Sequence, residues 1–370
     1  MKLFRFTKIV LVNFCVLILL LEVLGFALSR TSESKGRVFS DVERIKQDLI
    51  ANWGTYEHWL EHRYDAALGW NNPSSRKDEA LDCSGEPVQV TYKKDRSRLT
   101  PASAEGLKIL TYGDSFTHGD EVGDAFSFPN LLASELHAEV INHGVSGYGI
   151  LQAVHKFELT AEAEQDADIA VLAFIGDNIY RMLNSYYPLR GNPTFHFGFK
   201  PYSRAGQFVE NPNNPTVFDQ EEMTQIVEGL AITDYWTLPR AKFPYSISLI
   251  EYFGTNRFRW ALIKRSQGFD EFAPFMKDLN IVLERFVTTA EEHQIQPVIV
   301  LIPGTAEDVE IYENTIETLK VVFQNRADIM KVVVTPQDWS KYMPDGCGHP
   351  STAGYGIIAG QVANFISSNN

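Results

Sequence analysis

Cysteine is scarce, with three in 370 residues. That is too few for a disulfide scaffold, and positions 15, 83 and 347 fit no zinc or redox spacing. Cys15 falls in an N-terminal apolar stretch, which leaves Cys83 and Cys347 as the one pair able to bridge elsewhere. Connectivity is not written in a sequence, and two separate thiols are the expectation. Basic residues are also short: 33 Lys and Arg stand against 47 Asp and Glu, for a formal net charge of -14. Such a field repels phosphate backbones and anionic lipid, so broad nucleic-acid binding is excluded. There is no His-Glu-x-x-His, no EF-hand loop and no cysteine cluster, and therefore neither a metal nor another cofactor is expected. The Gly-x-Ser-x-Gly turn of α/β-hydrolases is missing as well, and no internal repeat or low-complexity tract interrupts the chain.

One long apolar run is present. Lys2, Arg5 and Lys8 precede Ile9 to Leu28, which is apolar apart from Asn13 and Glu22. A helix of that length rises about 30 Å, the thickness of a bilayer's hydrocarbon core. The run exceeds a signal-peptide core, which favours an uncleaved anchor, although Ala27-Leu28-Ser29 offers a peptidase small residues. The basic tail predicts a cytoplasmic N-terminus at 1–8, a transmembrane anchor at 9–28 and export of the remainder to the periplasm or cell exterior. Glu22 reads as a polar residue tolerated near the membrane interface.

Residues 29–105 read as an extracytoplasmic extension. Val38 to Leu60 has helical periodicity, and Val88 to Tyr92 resembles a strand. From Leu107 onwards, strand-like runs at Leu107–Tyr112, Val140–Asn142, Ile169–Ile175, Pro297–Pro303 and Val332–Thr335 alternate with helical segments. These are Ala125–His137, Ile150–Ala163, Phe272–His293, Asp308–Phe323 and Thr352–Ile366. The alternation predicts an α/β domain over 106–370, three-layered α/β/α around a parallel sheet. An insertion at about 180–267 breaks the rhythm. It carries 17 aromatic residues between Tyr180 and Trp260, and reads as a lid or side wall whose rings form a small core or a sugar-stacking platform.

In a parallel sheet the carboxyl ends of the strands share one edge, so the residues that follow them are neighbours. Gly113-Asp114-Ser115 follows the first strand, Asn142-His143-Gly144 the second and Gly176-Asp177-Asn178 the third, while Asp345-Gly346-Cys347-Gly348-His349-Pro350 precedes the last helix. Acyl transfer through serine needs a nucleophile, a base, oxyanion donors and a group that orients the base. Ser115 supplies the hydroxyl and His349 the base. The N–H groups of Ser115 and Gly144 and the Asn178 amide are candidate oxyanion donors. His118 is expected to line the site, and Asp114 and Asp177 to be structural.

These four blocks, in this order, resemble those of the SGNH, or GDSL, hydrolases, a family of serine esterases and lipases. Ile179 stands where the family often has aspartate. The family's acid lies three residues before the histidine, where this chain has Gly346, so Asp345 is the candidate acid, Asp338 a substitute and a Ser-His dyad a further alternative. The resemblance implies a membrane-anchored hydrolase of ester bonds in acylated small molecules, lipids or polysaccharides, with O-acetyl groups of an envelope glycan as the leading substrate. An O-acyltransferase acting on an exported polysaccharide and a non-catalytic glycan-binding protein are the alternatives.

Overall fold

The computed structural model describes residues 2–31, 38–40, 42–187, 198–204, 206–210, 219–229, 238–255, 258, 259, 262, 275–306 and 308–369. Five short runs of buried, mostly aliphatic residues form its main sheet: β1 (Lys108–Gly113), β2 (Glu139–Asn142), β3 (Ile169–Phe174), β4 (Gln296–Leu301) and β5 (Asp328–Lys331). They pair in the order β2-β1-β3-β4-β5, every neighbour parallel. This is the flavodoxin-like doubly wound order, whose switch point lies between β1 and β3.

Buried side chains leave both faces of the sheet. Ile109, Val171 and Val300 join a cluster with the helices Phe128–Leu136 and Thr352–Asn369. On the other face Tyr112 meets Phe157 at 5.1 Å between ring centroids, and Phe157 meets Phe286 at the same distance. Those rings belong to the helices Ile150–Thr160 and Met276–Glu292. Helix, sheet and helix are the three layers expected.

One strand is displaced from its expected position. The run Val332–Thr335 was the sequence candidate, but β5 spans Asp328–Lys331 and pairs with Val298–Leu301. It is an edge strand, so its polar ends Asp328 and Lys331 reach solvent and hide the pattern. Val333, by contrast, is 47% exposed.

The chain forms two compact units. One comprises residues 60–183, 199–214 and 269–370, the other 1–59, 184–198 and 215–268. Residues 60–105 pack into the sheet-containing unit. Trp70 Nε1 donates to Ser146 O at 3.0 Å, and Tyr148 Oη donates to Trp70 O at 2.6 Å. The Arg98 N–H bonds Asn142 O at 2.8 Å and covers the open edge of β2. A hairpin of Lys77–Leu81 and Pro87–Thr91 takes up the strand-like patch.

In the other unit an N-terminal helix spans Lys2–Arg30. The periodic stretch Val38–Leu60 divides into the helices Val42–Ala51 and Trp53–Arg63. The helix Tyr245–Gly254, from the insertion, packs on the N-terminal helix. Part of the insertion, including 6 of its 17 aromatic residues, and residues 32–37 lie outside the described residues.

Candidate active site

Ser115 begins a one-turn helix, Ser115–His118, directly after β1. Asp114 caps that turn: its Oδ1 accepts the Phe116 N–H at 2.9 Å, and its backbone carbonyl accepts those of Thr117 and His118. Gly119 closes the turn in the left-handed region at φ 89°. The Ser115 hydroxyl is thereby held at the carboxyl end of β1, next to the switch point.

Gly144 follows β2 and touches this turn. A Cβ there would fall 2.3 Å from His118 N and 2.7 Å from Thr117 C, so only glycine lets the two loops close. Its N–H donates to Asn142 Oδ1 at 3.0 Å. Asn178 follows β3, and both its amide hydrogens are engaged, on Asp114 Oδ2 at 2.8 Å and on Tyr148 O at 2.9 Å. Its Oδ1 accepts the Ile175 N–H at 2.8 Å. These two candidate oxyanion donors thus serve in this state as braces between the loops. The Ser115 N–H, first in its helix, is not taken by the capping carboxylate, which bonds the next residue.

Asp114 is buried and shared. Arg181 Nη1 lies 3.3 Å from its Oδ2 and also holds Asp177 through Nε at 2.8 Å. Burial pushes the Asp114 carboxyl up, a shift that Arg181 and the Asn178 amide partly offset. Both aspartates brace the turns, as expected.

His349 arrives from the loop before the last helix. Its ring stands 5.5 Å from that of Phe116, the residue after the candidate nucleophile. Asp345 is exposed and is not the group on the imidazole. Glu121 is: its Oε1 lies 3.0 Å from His349 Nδ1 and accepts the Gly348 N–H at 3.4 Å. The extra residue between Asp345 and His349 turns Asp345 outward, through Gly346 at φ 84°, and a glutamate from the loop after the candidate nucleophile makes the contact with the imidazole instead. Asp338 is used elsewhere, by Thr335 Oγ1 at 2.7 Å.

With Nδ1 turned to Glu121, Nε2 is the free nitrogen, and its nearest carboxylate is Asp120 Oδ2 at 3.9 Å, beyond hydrogen-bond reach. Burial works against a charged His349. The Glu121 bond and the negative charges of Asp120, Glu121 and Asp114 outweigh it, and the imidazole pKa is raised.

Asp120 and Glu121 escaped the sequence reading. The available signal was a pair of acids just after the Gly-Asp-Ser turn. Asp120 Oδ1 receives His118 Nδ1 at 2.5 Å and Ser146 Oγ at 2.6 Å. Burial would raise its pKa, but the charges of His118 and His349 and the bonds from His118 and Ser146 hold it well below the carboxylate range. Burial lowers the His118 pKa against the pull of Asp120; in the neutral ring a proton on Nδ1 leaves Nε2 to accept from Tyr92 Oη at 3.0 Å. His118 therefore lines the site, as expected, through a closed chain of bonds. His143 stacks on Tyr112 at 4.8 Å and is pushed down to about 3 by burial and by the charge of Lys156.

Arg98 holds the acid loop in place from below. Its guanidinium is fully buried, pairs with Asp124 at 3.2 Å, and donates to the carbonyls of His118 at 2.8 Å, Gly119 at 2.5 Å and Val122 at 2.6 Å. A disulfide joins Cys347 to Cys83, Cα atoms 5.3 Å apart. This corrects the expectation of separate thiols: the hairpin turn at Cys83 folds onto the histidine loop, a meeting of residues 264 apart in sequence. No metal or cofactor role is assigned to any of these residues.

No protein-family model matches the sequence, and no curated protein does. Among solved structures, a Desulfitobacterium hafniense protein described as lipolytic and of the G-D-S-L family is similar at 12% identity and a TM-score of 0.36, over 70% of this chain and 99% of its own. A family two carbohydrate esterase from Cellvibrio japonicus is similar at 14% identity and 0.36, over 73% of this chain and 65% of its own. A Bacteroides ovatus protein described as a GDSL-like lipase gives 16% and 0.35, over 71% of this chain and 53% of its own. The strand order of this chain is the flavodoxin-like one. Likenesses this distant say nothing about the substrate.

Proposed function

We propose that the chain is a serine esterase in which Ser115 is the nucleophile, His349 the general base and Glu121 the residue that orients it. The observation that carries this reading is the 3.0 Å contact between Glu121 and His349 Nδ1, which in the neutral imidazole favours the proton on Nδ1 and leaves Nε2 to act as base. Ser115 Oγ attacks the ester carbonyl while Nε2 takes its proton. The tetrahedral intermediate collapses with cleavage of the acyl C–O bond, and the imidazolium returns the proton to the departing alcohol. Water, deprotonated by the same nitrogen, then releases the acid and restores Ser115.

The Ser115 N–H faces the developing oxyanion. Gly144 N–H and the Asn178 amide join it on giving up Asn142 Oδ1 and one of the two Asn178 acceptors. Losing one such donor costs ~10²-fold or more in turnover.

Esters of envelope glycans or lipids are the proposed substrates, with O-acetylated polysaccharide first. The N-terminal helix is proposed as an anchor with the catalytic unit exported, a reading favoured by the Cys83–Cys347 bond, since disulfides persist in oxidising compartments. The test is hydrolysis of p-nitrophenyl acetate by wild-type and Ser115→Ala protein. Loss of turnover in the variant is expected, and turnover at the wild-type rate overturns the mechanism. Transfer of acetyl to an added glycan faster than to water would assign the same serine to an acyltransferase.

A further inference from the structure

The helix Tyr245–Gly254 presents itself the wrong way round for water. It carries one charged residue, Glu251. Ser246 and Ser248 are buried with Leu249, whereas Ile247, Ile250 and Phe253 are 47, 55 and 43% exposed and Phe243, just before it, is 77% exposed. Positions 247, 250 and 253 fall on one side of a helix, so the outward side is apolar apart from the exposed Glu251 and the inward one carries hydroxyls. A helix on the surface of a soluble domain has the opposite arrangement.

What lies behind this helix explains the inversion. It packs on the N-terminal helix, which over Phe6–Arg30 is long and apolar enough to cross a membrane. The N-terminal helix is exposed except along one stripe: Ile18, Leu21, Glu22, Gly25, Leu28 and Ser29. Gly25 allows the contact, since a Cβ there would stand 2.7 Å from Tyr245 Cβ. Phe26 and Tyr245 meet edge to face at 5.6 Å.

Glu22 completes the joint. Its Oε1 accepts the Tyr245 N–H and its Oε2 the Ser246 N–H, each at 2.8 Å, which satisfies the first two free donors of the insertion helix. Glu22 lies eight residues before Arg30, about 12 Å along the axis, within the ~15 Å half-thickness of a hydrocarbon core. A carboxylate at that depth is costly without partners. The insertion helix provides them, and so shares its depth.

We propose that Phe243–Gly254 is a second membrane element, embedded in the leaflet at the C-terminal end of the N-terminal helix, with Phe243, Ile247, Ile250 and Phe253 against lipid acyl chains. The inference rests on the anchor reading of the N-terminal helix given above. Its occupant is lipid because the stripe adjoins a helix whose own exposed side chains, among them Val23 and Leu24, are lipid-facing once that helix spans. Exposed Arg240 and Lys242 precede the segment, where their long stems reach headgroups. Retention of residues 1–30 follows, because a cut at Ser29 would remove Glu22 from the N–H groups it satisfies.

The experiment uses the full-length protein in phosphatidylcholine vesicles. Native Cys15, the one free cysteine among the described residues, is labelled with an environment-sensitive fluorophore. Separately, Ile250→Cys and Phe253→Cys are labelled in a Cys15→Ser background. Vesicles carry nitroxide lipids of shallow or deep position. The proposal expects most of the fluorescence at 250 and 253 to be lost to the shallow quencher, and Glu22→Gln to weaken that loss. Quenching at Cys15 with none at 250 or 253 overturns the proposal while the anchor stands. Quenching at none of the three removes the anchor reading and the proposal with it. Labels at 250 and 253 shielded from water yet unquenched, and exposed on dilution into lipid, would make a second copy the occupant and overturn the proposal too.

Discussion

Glu121 reaches His349 from a backbone at φ 63°, a left-handed conformation that costs a residue with a Cβ of order 1 kcal/mol or more. Its Oε2 is buried without a hydrogen-bond partner. A side chain held at such expense, with its other oxygen on the imidazole, has the character of a positioning residue. Glu121→Gln should reduce kcat/KM about 10²-fold or more, within the range for general-base catalysis, whereas Asp345→Asn should stay within about twofold because an exposed residue away from the imidazole makes no contact with the base. The pH profile separates the two further. The raised His349 pKa means the neutral base accumulates only above the ordinary imidazole value, so activity rises with pH through that higher point. Removing the Glu121 charge should move this acid limb to lower pH, a shift read directly from kcat/KM against pH. Ser115 and His349 were legible as candidates because each sits at a strand or helix end in a fixed order. The acid was not, since Glu121 and His349 are 228 residues apart and only the folded loops bring them together.

Elements explain why Gly144 and Asn178 were found for a reason that the structure revises. Sequence logic assigns them to a substrate's oxyanion. The folded loops show their first task, which is to let β2 and β3 close on the Ser115 turn: Gly144 by having no Cβ, Asn178 by bonding Asp114. The loop from Gly119 to Asp124 is held in turn by Arg98, a residue of the segment before β1 that carried no motif. Arg98→Ala leaves Asp124 and three carbonyls without their buried partner, and should destabilise the protein by about 3–5 kcal/mol. Denaturant unfolding would read this, and an unchanged midpoint would show that the loop holds itself. The strands were legible through their continuous apolar runs, as fully covered parallel strands are. The exception was β5, whose polar ends and edge position give no such run.

At the scale of the molecule, the parallel sheet and the three layers follow from strand-helix alternation, which puts the loops after the strands along one edge. The division into units does not, because residues 60–105 join the sheet-containing unit through hydrogen bonds that no local pattern announces. The Cys83–Cys347 bond is of the same kind, and it ties the histidine loop, two residues before His349, to the hairpin of that segment. Reduction should lower stability by about 2–4 kcal/mol and activity with it, while a Cys83→Ser, Cys347→Ser protein should be indifferent to reductant. The central claim is that Ser115 is a nucleophile with His349 as its base. Its most direct measurement is the mass of the intact protein after treatment with a fluorophosphonate, with peptide mapping of any adduct. One adduct is predicted, on Ser115, absent in Ser115→Ala and slowed in His349→Ala and Glu121→Gln; no adduct on the native protein, or one that persists in Ser115→Ala, would contradict the account.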